Sequence, residues 1–303
     1  MAKNILVTGA TGLLGRKLVP LLVQQGHQIT VLSRKPQVIE GAKVCLWDVK
    51  QQSIDPHAFD GIDTVVHLAG EGIADKKWTA EHKQEVIDSR VKSTQLLYQT
   101  IIATKAPVQN FISASAIGYY GDRGEEILKE TSEPGTGFLA DCCVLWENAV
   151  NQGIELGIRV VKIRVGIVLS REDGALATME KPIKYFVGTP LGNGKQWMPW
   201  VHLDDMVNIF AKAVNEPKMV GAYNACSPVP VTNKFFTKSI AKQLNRPVWP
   251  FHVPAFALKA LLGEMSTMVL MSSNTSSQKL LDAGYKFAYL NLENALDSIY
   301  SKK

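Results

Sequence analysis

A glycine-rich turn near the start of the chain constrains the fold more than any other feature of the sequence. The apolar run NILVT leads directly into GATGLLG, where Gly9, Gly12 and Gly15 are spaced as GxxGxxG, and an amphipathic stretch follows at residues 16–25. In such a turn one glycine permits the tight bend, one lets backbone N–H groups approach a pyrophosphate, and one lets the helix pack against the strand. Because the helix N-terminus then faces the anion, the pattern predicts a dinucleotide-binding turn. A glycine-rich turn that binds nothing is the alternative.

Short apolar runs alternate with longer amphipathic stretches over the first 170 residues. A parallel strand that is buried on both faces gives a run of this kind. Strand–helix alternation predicts an α/β fold with a Rossmann-type, doubly wound parallel sheet. The runs lie at residues 4–9, 28–34, 42–48, 64–70, 110–116 and 159–169, and the helical stretches lie at 16–25, 81–103 and 139–156.

The end of the second predicted strand indicates which dinucleotide binds. Ser33, Arg34 and Lys35 lie there, without a carboxylate. An NAD site usually has an acidic residue at this point for the ribose 2′-OH, whereas a guanidinium binds a phosphate through two parallel hydrogen bonds. We therefore predict NADP(H) as the cofactor, with a solvated charged turn as the alternative, and the missing carboxylate also disfavours FAD. Asp48 ends the third strand, where it either accepts from the adenine amino group or caps a turn.

The alternation weakens after residue 170. We expect residues 1–170 to form the NADP-binding Rossmann domain, with residues 200–227 returning to it. Residues 171–199 and 228–303 are expected to form a smaller C-terminal lobe that holds the substrate. Ligands of open α/β sheets bind in the crevice at the carboxyl ends of the strands, so the site should lie between these two parts.

Charge and cysteine usage exclude several classes of protein. The formal net charge is only +5, the basic residues are scattered, and no nucleic-acid-binding motif is present, so a nucleic-acid partner is not expected. The sequence has no CxxC pair and no apolar run of 18 residues, so neither a metal site nor a membrane span is expected. The start MAKNILVTG lacks the pattern of an export signal. These features predict a cytoplasmic protein whose four cysteines, Cys45, Cys142, Cys143 and Cys226, stay reduced.

The motifs of the chain resemble those of the extended short-chain dehydrogenase/reductase family over essentially its full length. The segments that carry this resemblance are TGATGLLG, HLAG at 67–70, SASAIGYYG at 113–121, IRVGIVL and WVHLDDMVN. More narrowly, the chain is similar to a subgroup named epimerase family protein, which resembles nucleotide-sugar epimerases. That narrower similarity lies in AGEGIADKKW at 69–78, SRVKST at 89–94, GYYGD at 118–122, VPAFALKALLGEMS and KLLDAGYKF.

The resemblance implies an NADP-dependent oxidoreductase or epimerase-like enzyme that acts on a carbonyl or hydroxyl substrate. Hydride transfer belongs to the cofactor, and the protein supplies orientation and a path for the proton. Together with the glycine turn, the resemblance implies cofactor contacts from Thr8, Gly9, Thr11, Gly12, Leu13, Leu14, Gly15, Ser33, Arg34, Lys35, Asp48, Leu68, Ala69, Gly70, Glu71 and Arg90.

The catalytic pair of that family is missing from this sequence. The family uses a serine or threonine that holds the substrate oxygen, together with a tyrosine and a lysine four residues apart on a helix. Ser115 matches the first of these by its place on the strand, with a small polar residue at a strand end as the alternative. Leu139 and Cys143 stand at the places of the tyrosine and the lysine, and Glu147 continues the same helix face at the spacing i, i+4, i+8. A leucine cannot transfer a proton, and a cysteine with an ordinary pKa of about 8.5 is neutral. Any activity must therefore use other residues.

Two tyrosines just past the strand that carries Ser115 are candidate replacements. Tyr119 or Tyr120 is the predicted proton donor, with packing at the strand end as the alternative. A phenol with a pKa of about 10 needs a nearby cation to work at neutral pH, and Arg90 and Arg164 are candidates for that cation. Glu71 is a candidate carboxylate base.

The resemblance to nucleotide-sugar enzymes implies that the glycine-rich segment before His202, GNGKQWMPWVH, supplies cations for a pyrophosphate and aromatic faces for a base. Surface charges and core tryptophans would give a similar pattern. We expect His202 to lie in a segment that anchors the two lobes, with a catalytic use as the alternative. Asp204 is the expected N-cap of the helix that follows. The candidate substrate contacts are Lys184, Lys195, Trp197 and His202, with Trp200 of similar character.

The sequence leaves the substrate and the assembly open. The expected partner is a small molecule, with an anionic or nucleotide-linked compound among the options. The protein is expected to be a monomer or a homodimer, and relatives often pair through helices at 81–103 and 139–156. Because fold does not determine function, a non-catalytic NADPH sensor or scaffold is the alternative to an enzyme.

Overall fold

A computed structural model describes residues 2–301 of the chain. The strands, in chain order, are β1 (Asn4–Thr8), β2 (Gln28–Ser33), β3 (Ala42–Asp48), β4 (Ser53–Ile54), β5 (Thr64–His67), β6 (Asn110–Ala116), β7 (Ile127–Leu128), β8 (Arg159–Val165), β9 (Ile167–Leu169), β10 (Trp197–Met198), β11 (Trp200–His202), β12 (Gly221–Ala225), β13 (Val231–Thr232) and β14 (Asn274–Thr275). The helices are α1 (Gly15–Gln24), α2 (Ala80–Thr104), α3 (Phe138–Glu155), α4 (Ala175–Lys184), α5 (Leu203–Asn215), α6 (Asn233–Gln243), α7 (Ala255–Leu262), α8 (Thr267–Leu270), α9 (Gln278–Asp282) and α10 (Leu292–Ser301).

An eight-stranded sheet forms the centre of the molecule, in the order β12-β8-β6-β5-β1-β2-β3-β4. All neighbouring pairs are parallel except β3 and β4. The strand order reverses direction at β1, because β2 lies on one side of it and β5 on the other. A reversal of this kind opens a crevice at the carboxyl ends of the strands. The sheet and its flanking helices confirm the predicted Rossmann-type α/β fold.

The last predicted strand divides into two. Residues up to Val165 form β8 in the main sheet, but the chain then bends at Gly166 and continues as β9, which pairs in parallel with β11. A Cβ at Gly166 would lie 2.5 Å from the carbonyl oxygen of Pro199, so only glycine fits this crossing. The bend carries the chain out of the main sheet toward a smaller lobe.

The molecule has a large hydrophobic core around the main sheet and a smaller one beside it. The smaller core contains Leu169, Leu176, Trp200, Phe236, Ile240 and Leu296. Not all C-terminal residues belong to it, because Leu280, Tyr285 and Phe287 pack into the large core. The division into a cofactor part and a substrate part stays a prediction. Within residues 2–301, no helix has the length and hydropathy needed to cross a membrane.

The prediction that Asp204 caps α5 was wrong, because His202 is the N-cap. The His202 Nδ1 accepts from the Asp204 backbone N–H at 3.0 Å, so Nε2 carries the ring proton in the neutral form, and Nε2 lies 3.2 Å from the Ser298 hydroxyl. The ring also stacks on Tyr289 with 3.9 Å between centroids. These contacts join the start of α5 to the C-terminal segment, which gives His202 the anchoring role.

Candidate cofactor and active site

The turn after β1 has room for glycine only. Gly9 has a φ of +71°, and a Cβ there would lie 2.8 Å from the Ala69 backbone nitrogen. A Cβ at Gly15 would lie 2.3 Å from the carbonyl oxygen of Gly9, so the start of α1 packs directly on the turn. No side chain caps α1 at Leu14. The N–H groups of Arg16 and Lys17 donate to the carbonyls of Gly12 and Leu14, so an anion would be bound by the N–H groups of the turn that leads into α1.

A buried polar chain holds the end of β5 against this turn. The Thr8 hydroxyl oxygen accepts from the backbone N–H groups of Leu68 and Ala69 at 3.2 and 3.1 Å, so its proton is donated to His67 Nδ1 at 2.7 Å. The His67 Nε2 lies 3.0 Å from the Ser93 hydroxyl on α2. Burial lowers the pKa of His67 to about 3, so the imidazole is neutral. The chain ties β1, β5 and α2 together beneath the predicted cofactor contacts.

The end of β2 presents cations to solvent. The buried Ser33 hydroxyl donates to the Lys35 carbonyl at 2.7 Å and accepts from the Gln37 side-chain amide at 2.6 Å. Ser33 therefore shapes the turn, whereas Arg34 and Lys35 are exposed. At the end of β3, one Asp48 carboxylate oxygen accepts from two backbone N–H groups of the following turn, at 2.8 and 3.0 Å. Asp48 therefore caps the turn, which is one of its two predicted roles.

Arg90 lies over the glycine that follows β5. A Cβ at Gly70 would lie 3.2 Å from the Arg90 Cζ. The Arg90 Nη1 donates to the carbonyl oxygens of Glu71 and Val86, both at 3.0 Å, and the guanidinium lies 5.1 Å from the Trp146 ring. Burial lowers the pKa of Arg90. Arg90, a cation, thus contacts Gly70 and Glu71, which are predicted to lie beside the cofactor ribose.

Leu139 and Cys143 pack beneath the short helical turn that follows β6. A Cβ at Gly118 in that turn would lie 3.4 Å from the Leu139 Cβ and 3.8 Å from the Cys143 Sγ. Burial, with smaller contributions from Cys142 and Glu147, raises the pKa of Cys143 to about 12. The thiol is therefore neutral and cannot serve as a charged group at this place.

Modification of the thiols tests this placement. All four cysteines are buried, so we expect a thiol reagent such as Ellman's reagent to react slowly with the native protein and with four equivalents after unfolding in guanidinium. Rapid native reaction of Cys143, located by mass spectrometry of the labelled peptides, would contradict the buried position. Cys143→Ser, which has no thiol there, is the control for the assignment.

Ser115 is part of a buried ion-pair network. Its hydroxyl is 2 % exposed and donates to the Glu147 carboxylate at 2.7 Å. The same carboxylate accepts from the Arg164 Nε and Nη2 at 2.8 and 3.0 Å, and the Lys162 Nζ lies 3.3 Å away. Burial acts to raise the pKa of Glu147, but the Arg164 guanidinium, Lys162 and the Ser115 hydroxyl outweigh it, and the pKa is lowered. In the sequence, Glu147 served only to set the register of the helix, and its pairing with Arg164 and Ser115 was not predicted. A glutamate on an apolar helix face is nevertheless a signal of buried pairing.

The two candidate tyrosines have different surroundings. Tyr120 is fully buried, and its hydroxyl donates to the Asn224 side-chain oxygen and accepts from the Arg164 Nη1, both at 2.7 Å. Burial raises the pKa of Tyr120 to about 12. Tyr119 is partly exposed, and its ring lies 3.6 Å from the Arg164 guanidinium. Of the two phenols, only Tyr119 reaches the surface.

The predicted substrate contacts have separate partners. Lys184 forms an ion pair with Glu180, and the Trp197 indole N–H donates to Glu125 at 2.7 Å. Lys195 is exposed, and Trp200 is a fully buried core residue. That Lys184, Lys195, Trp197 and His202 contact a substrate stays a prediction.

Comparisons with known proteins agree with this geometry. Residues 5–226 match the model of the NAD dependent epimerase/dehydratase family, and residues 253–299 match a domain of unknown function (DUF1731). An epimerase family protein of Staphylococcus aureus (strain MRSA252) is 34 % identical over 305 residues, with 99 % of this chain and 100 % of the relative covered.

Two solved structures extend the comparison. The human epimerase family protein SDR39U1 (isoform 2), crystallised with NADPH, superimposes with a TM-score of 0.85 at 28 % identity, covering 99 % of this chain and 100 % of the human one. A nucleoside-diphosphate sugar epimerase from Corynebacterium glutamicum gives a TM-score of 0.80 at 32 % identity, covering 99 % of this chain and 58 % of that one.

Proposed function

Because the chain belongs to the NAD dependent epimerase/dehydratase family, we propose that it is an NADP(H)-dependent oxidoreductase or epimerase-like enzyme acting on a carbonyl or hydroxyl group. Membership confirms the predicted resemblance to extended short-chain dehydrogenases and nucleotide-sugar epimerases. The observation that carries the choice of cofactor is the exposed Arg34 at the end of β2, next to a glycine turn with an uncapped helix. The NADPH bound to the human relative supports the same choice.

The residues fit a bound dinucleotide phosphate. The turn admits only glycine at Gly9 and Gly15, because a Cβ at either would collide with neighbouring backbone, and N–H groups at the start of α1 would bind the pyrophosphate. The Arg34 guanidinium binds the 2′-phosphate through parallel hydrogen bonds. Arg90, over Gly70 and near Cys143, supplies the positive charge beside the nicotinamide ribose. Hydride transfer is the chemistry that the nicotinamide cofactor would supply when bound.

Tyr119 donates the proton to the substrate oxygen in this proposal. The Ser115 hydroxyl is bound to Glu147, and the Tyr120 hydroxyl is bound between Asn224 and Arg164, so neither has a free proton toward the crevice. Arg164 acts as a positioning residue, because it holds the Tyr119 ring by stacking while its own N–H groups bind Glu147.

Replacing Arg34 with alanine tests the cofactor assignment. We expect NADPH affinity to fall at least tenfold, about 1.4 kcal/mol, because the 2′-phosphate loses its guanidinium, while the weaker NADH affinity changes less than threefold. Fluorescence titration of each dinucleotide measures both. Lys50→Ala removes another exposed cation at a neighbouring strand end and should change neither affinity. Equal NADPH binding by wild type and Arg34→Ala would overturn the assignment.

A non-catalytic NADPH sensor is the second candidate. It is favoured by one observation: Ser115 and Tyr120 are buried and hydrogen-bonded within the protein. A sensor binds NADPH but never oxidises it across a broad carbonyl panel, nor reduces NADP⁺ across the matching alcohols. Stopped-flow absorbance at the nicotinamide band separates the two functions, since an enzyme shows at least one turnover.

A further inference from the structure

Two aromatic side chains meet above adjacent strand ends. Trp78 lies in the loop that follows β5, and Phe138 is the first residue of α3, which lies past the end of β6. Their rings pack edge to face, with centroids 4.8 Å apart and planes at 70°. The Trp78 indole N–H donates to the Ile73 carbonyl at 2.8 Å, which fixes the orientation of the ring. Both rings are partly exposed.

This aromatic pair lies beside the proposed catalytic residues. β5 and β6 are neighbours in the sheet, so both loops leave it at the same edge. Leu139, adjacent to Phe138, packs against Gly118 in the turn that carries Tyr119. The pair therefore borders the end of the crevice at which a substrate carbonyl would meet the Tyr119 hydroxyl.

A cation beside the aromatic pair is neutralised. The Lys83 ammonium lies 5.4 Å from the centroid of the Phe138 ring, and it forms an ion pair with Glu264 in the turn Gly263–Ser266. Arg123, which follows the tyrosines in the chain, is paired with Glu126 at 2.7 Å. A nucleoside diphosphate needs cations for its phosphate charges, and these two carry no surplus charge.

The segment after α7 adds an apolar wall. It is attached at one end to α2 through the ion pair of Glu264, and at the other end the Ser272 backbone N–H donates to the Asp122 carboxylate at 3.0 Å. The segment thus reaches from α2 to the chain just past the tyrosines. Met265, Met268 and Met271 are partly exposed along it. Thioether side chains adapt to apolar ligands of varied shape.

We propose that Trp78, Phe138 and the methionines of residues 265–271 form a subsite for an uncharged, planar apolar group, so that the substrate is a hydrophobic carbonyl compound or alcohol rather than a nucleoside-diphosphate sugar. This inference rests on the proposed function, since it names the substrate class of the same site. Aromatic rings pack favourably on a planar ligand edge to face or offset, which selects aryl and extended apolar carbonyls.

Kinetics of Trp78→Ala test the subsite. We expect NADPH-dependent reduction of 2-naphthaldehyde with a KM at least tenfold below that for butanal, whereas a nucleoside-diphosphate 4-keto sugar is not reduced. Trp78→Ala should raise the naphthaldehyde KM at least tenfold and leave the NADPH Kd unchanged, and Trp78→Phe should restore most of the affinity. Trp249→Ala, which removes an exposed indole in the smaller lobe, is the matched control and should change nothing.

A binding measurement separates failure of the subsite from failure of the enzyme hypothesis. 2-Naphthol is titrated calorimetrically into protein saturated with NADP⁺. If no carbonyl is reduced but 2-naphthol binds and Trp78→Ala weakens it, the subsite stands and the enzyme hypothesis falls. If carbonyls are reduced but Trp78→Ala alters neither KM nor 2-naphthol affinity, while its thermal midpoint matches wild type, the subsite is wrong. Preference for the nucleotide-linked sugar would also overturn it.

Discussion

Replacing Glu147 with alanine is expected to lower the free energy of unfolding by about 3–5 kcal/mol. The carboxylate is 4 % exposed and accepts from Ser115 and from two N–H groups of Arg164. Without it the guanidinium remains buried with its charge uncompensated, and the Ser115 hydroxyl loses its acceptor. Guanidinium denaturation at pH 7 measures the change.

A surface glutamate of the same helix provides the control. Glu155 is exposed near the end of α3, so Glu155→Ala should change the free energy of unfolding by no more than about 0.5 kcal/mol. A loss below 1 kcal/mol for Glu147→Ala would contradict the network. It would mean that water enters and solvates Arg164 once the carboxylate is removed.

The same network predicts a pH dependence. The folded-state pKa of Glu147 is lowered from an ordinary value of 4.5, so its contribution to stability is fully present above that value. The contribution is lost as the pH falls through the folded pKa, because the folded protein must then take up a proton and break the pairing. Glu147→Gln should therefore lose less stability than wild type between pH 5 and the acid transition, as measured by denaturation at a series of pH values.

Local patterns of the sequence were sufficient to predict the central architecture. Six of the eight strands of the main sheet, all except β4 and β12, lie within the predicted apolar runs, and Gly9 and Gly15 are needed because the backbone passes within van der Waals contact at the turn. The apolar runs are local patterns, and the contact of Gly15 with Gly9 joins residues close in the chain. The sheet order around β1 then follows from the handedness of the crossovers.

Contacts between distant residues explain what the sequence did not predict. Asp204 has the residue type of a cap, but His202 takes that place because Ser298 and Tyr289, nearly 100 residues later, hold its ring. Trp78 and Phe138 are 60 positions apart, and no periodicity connects them. The local pattern therefore predicted the glycine turn and the helix after it, whereas the pairing of Trp78 with Phe138 was not predicted.

The sequence also does not distinguish the two adjacent tyrosines, Tyr119 and Tyr120. Both tyrosines follow β6 directly, so the sequence treats them alike. The structure separates them because Asn224 on β12 and Arg164 on β8 bind the Tyr120 hydroxyl, whereas Tyr119 stacks on the outer face of Arg164. Two strands remote in sequence thus decide which of the two phenols is buried.

Replacing Tyr119 with phenylalanine is expected to lower the NADPH-dependent turnover number by about 100- to 10,000-fold, the usual contribution of a positioned proton donor. The ring and its stacking on Arg164 are kept, so NADPH affinity and the thermal midpoint should stay at wild-type values. Turnover is measured with the carbonyl that the wild-type protein reduces fastest.

Tyr120→Phe is the matched control, because it removes an identical hydroxyl one residue away. Its loss removes the donor to the Asn224 side-chain oxygen, while the Arg164 Nη1 keeps only the Glu130 carbonyl at 3.3 Å, so stability should fall by about 1–3 kcal/mol. Turnover at a temperature where the variant stays folded should fall far less than in Tyr119→Phe. The opposite order would assign proton transfer to the buried phenol. Equal turnover in both variants would leave Glu71 as the proton donor, and a test of Glu71→Gln would then decide between that carboxyl group and a proton supplied by water.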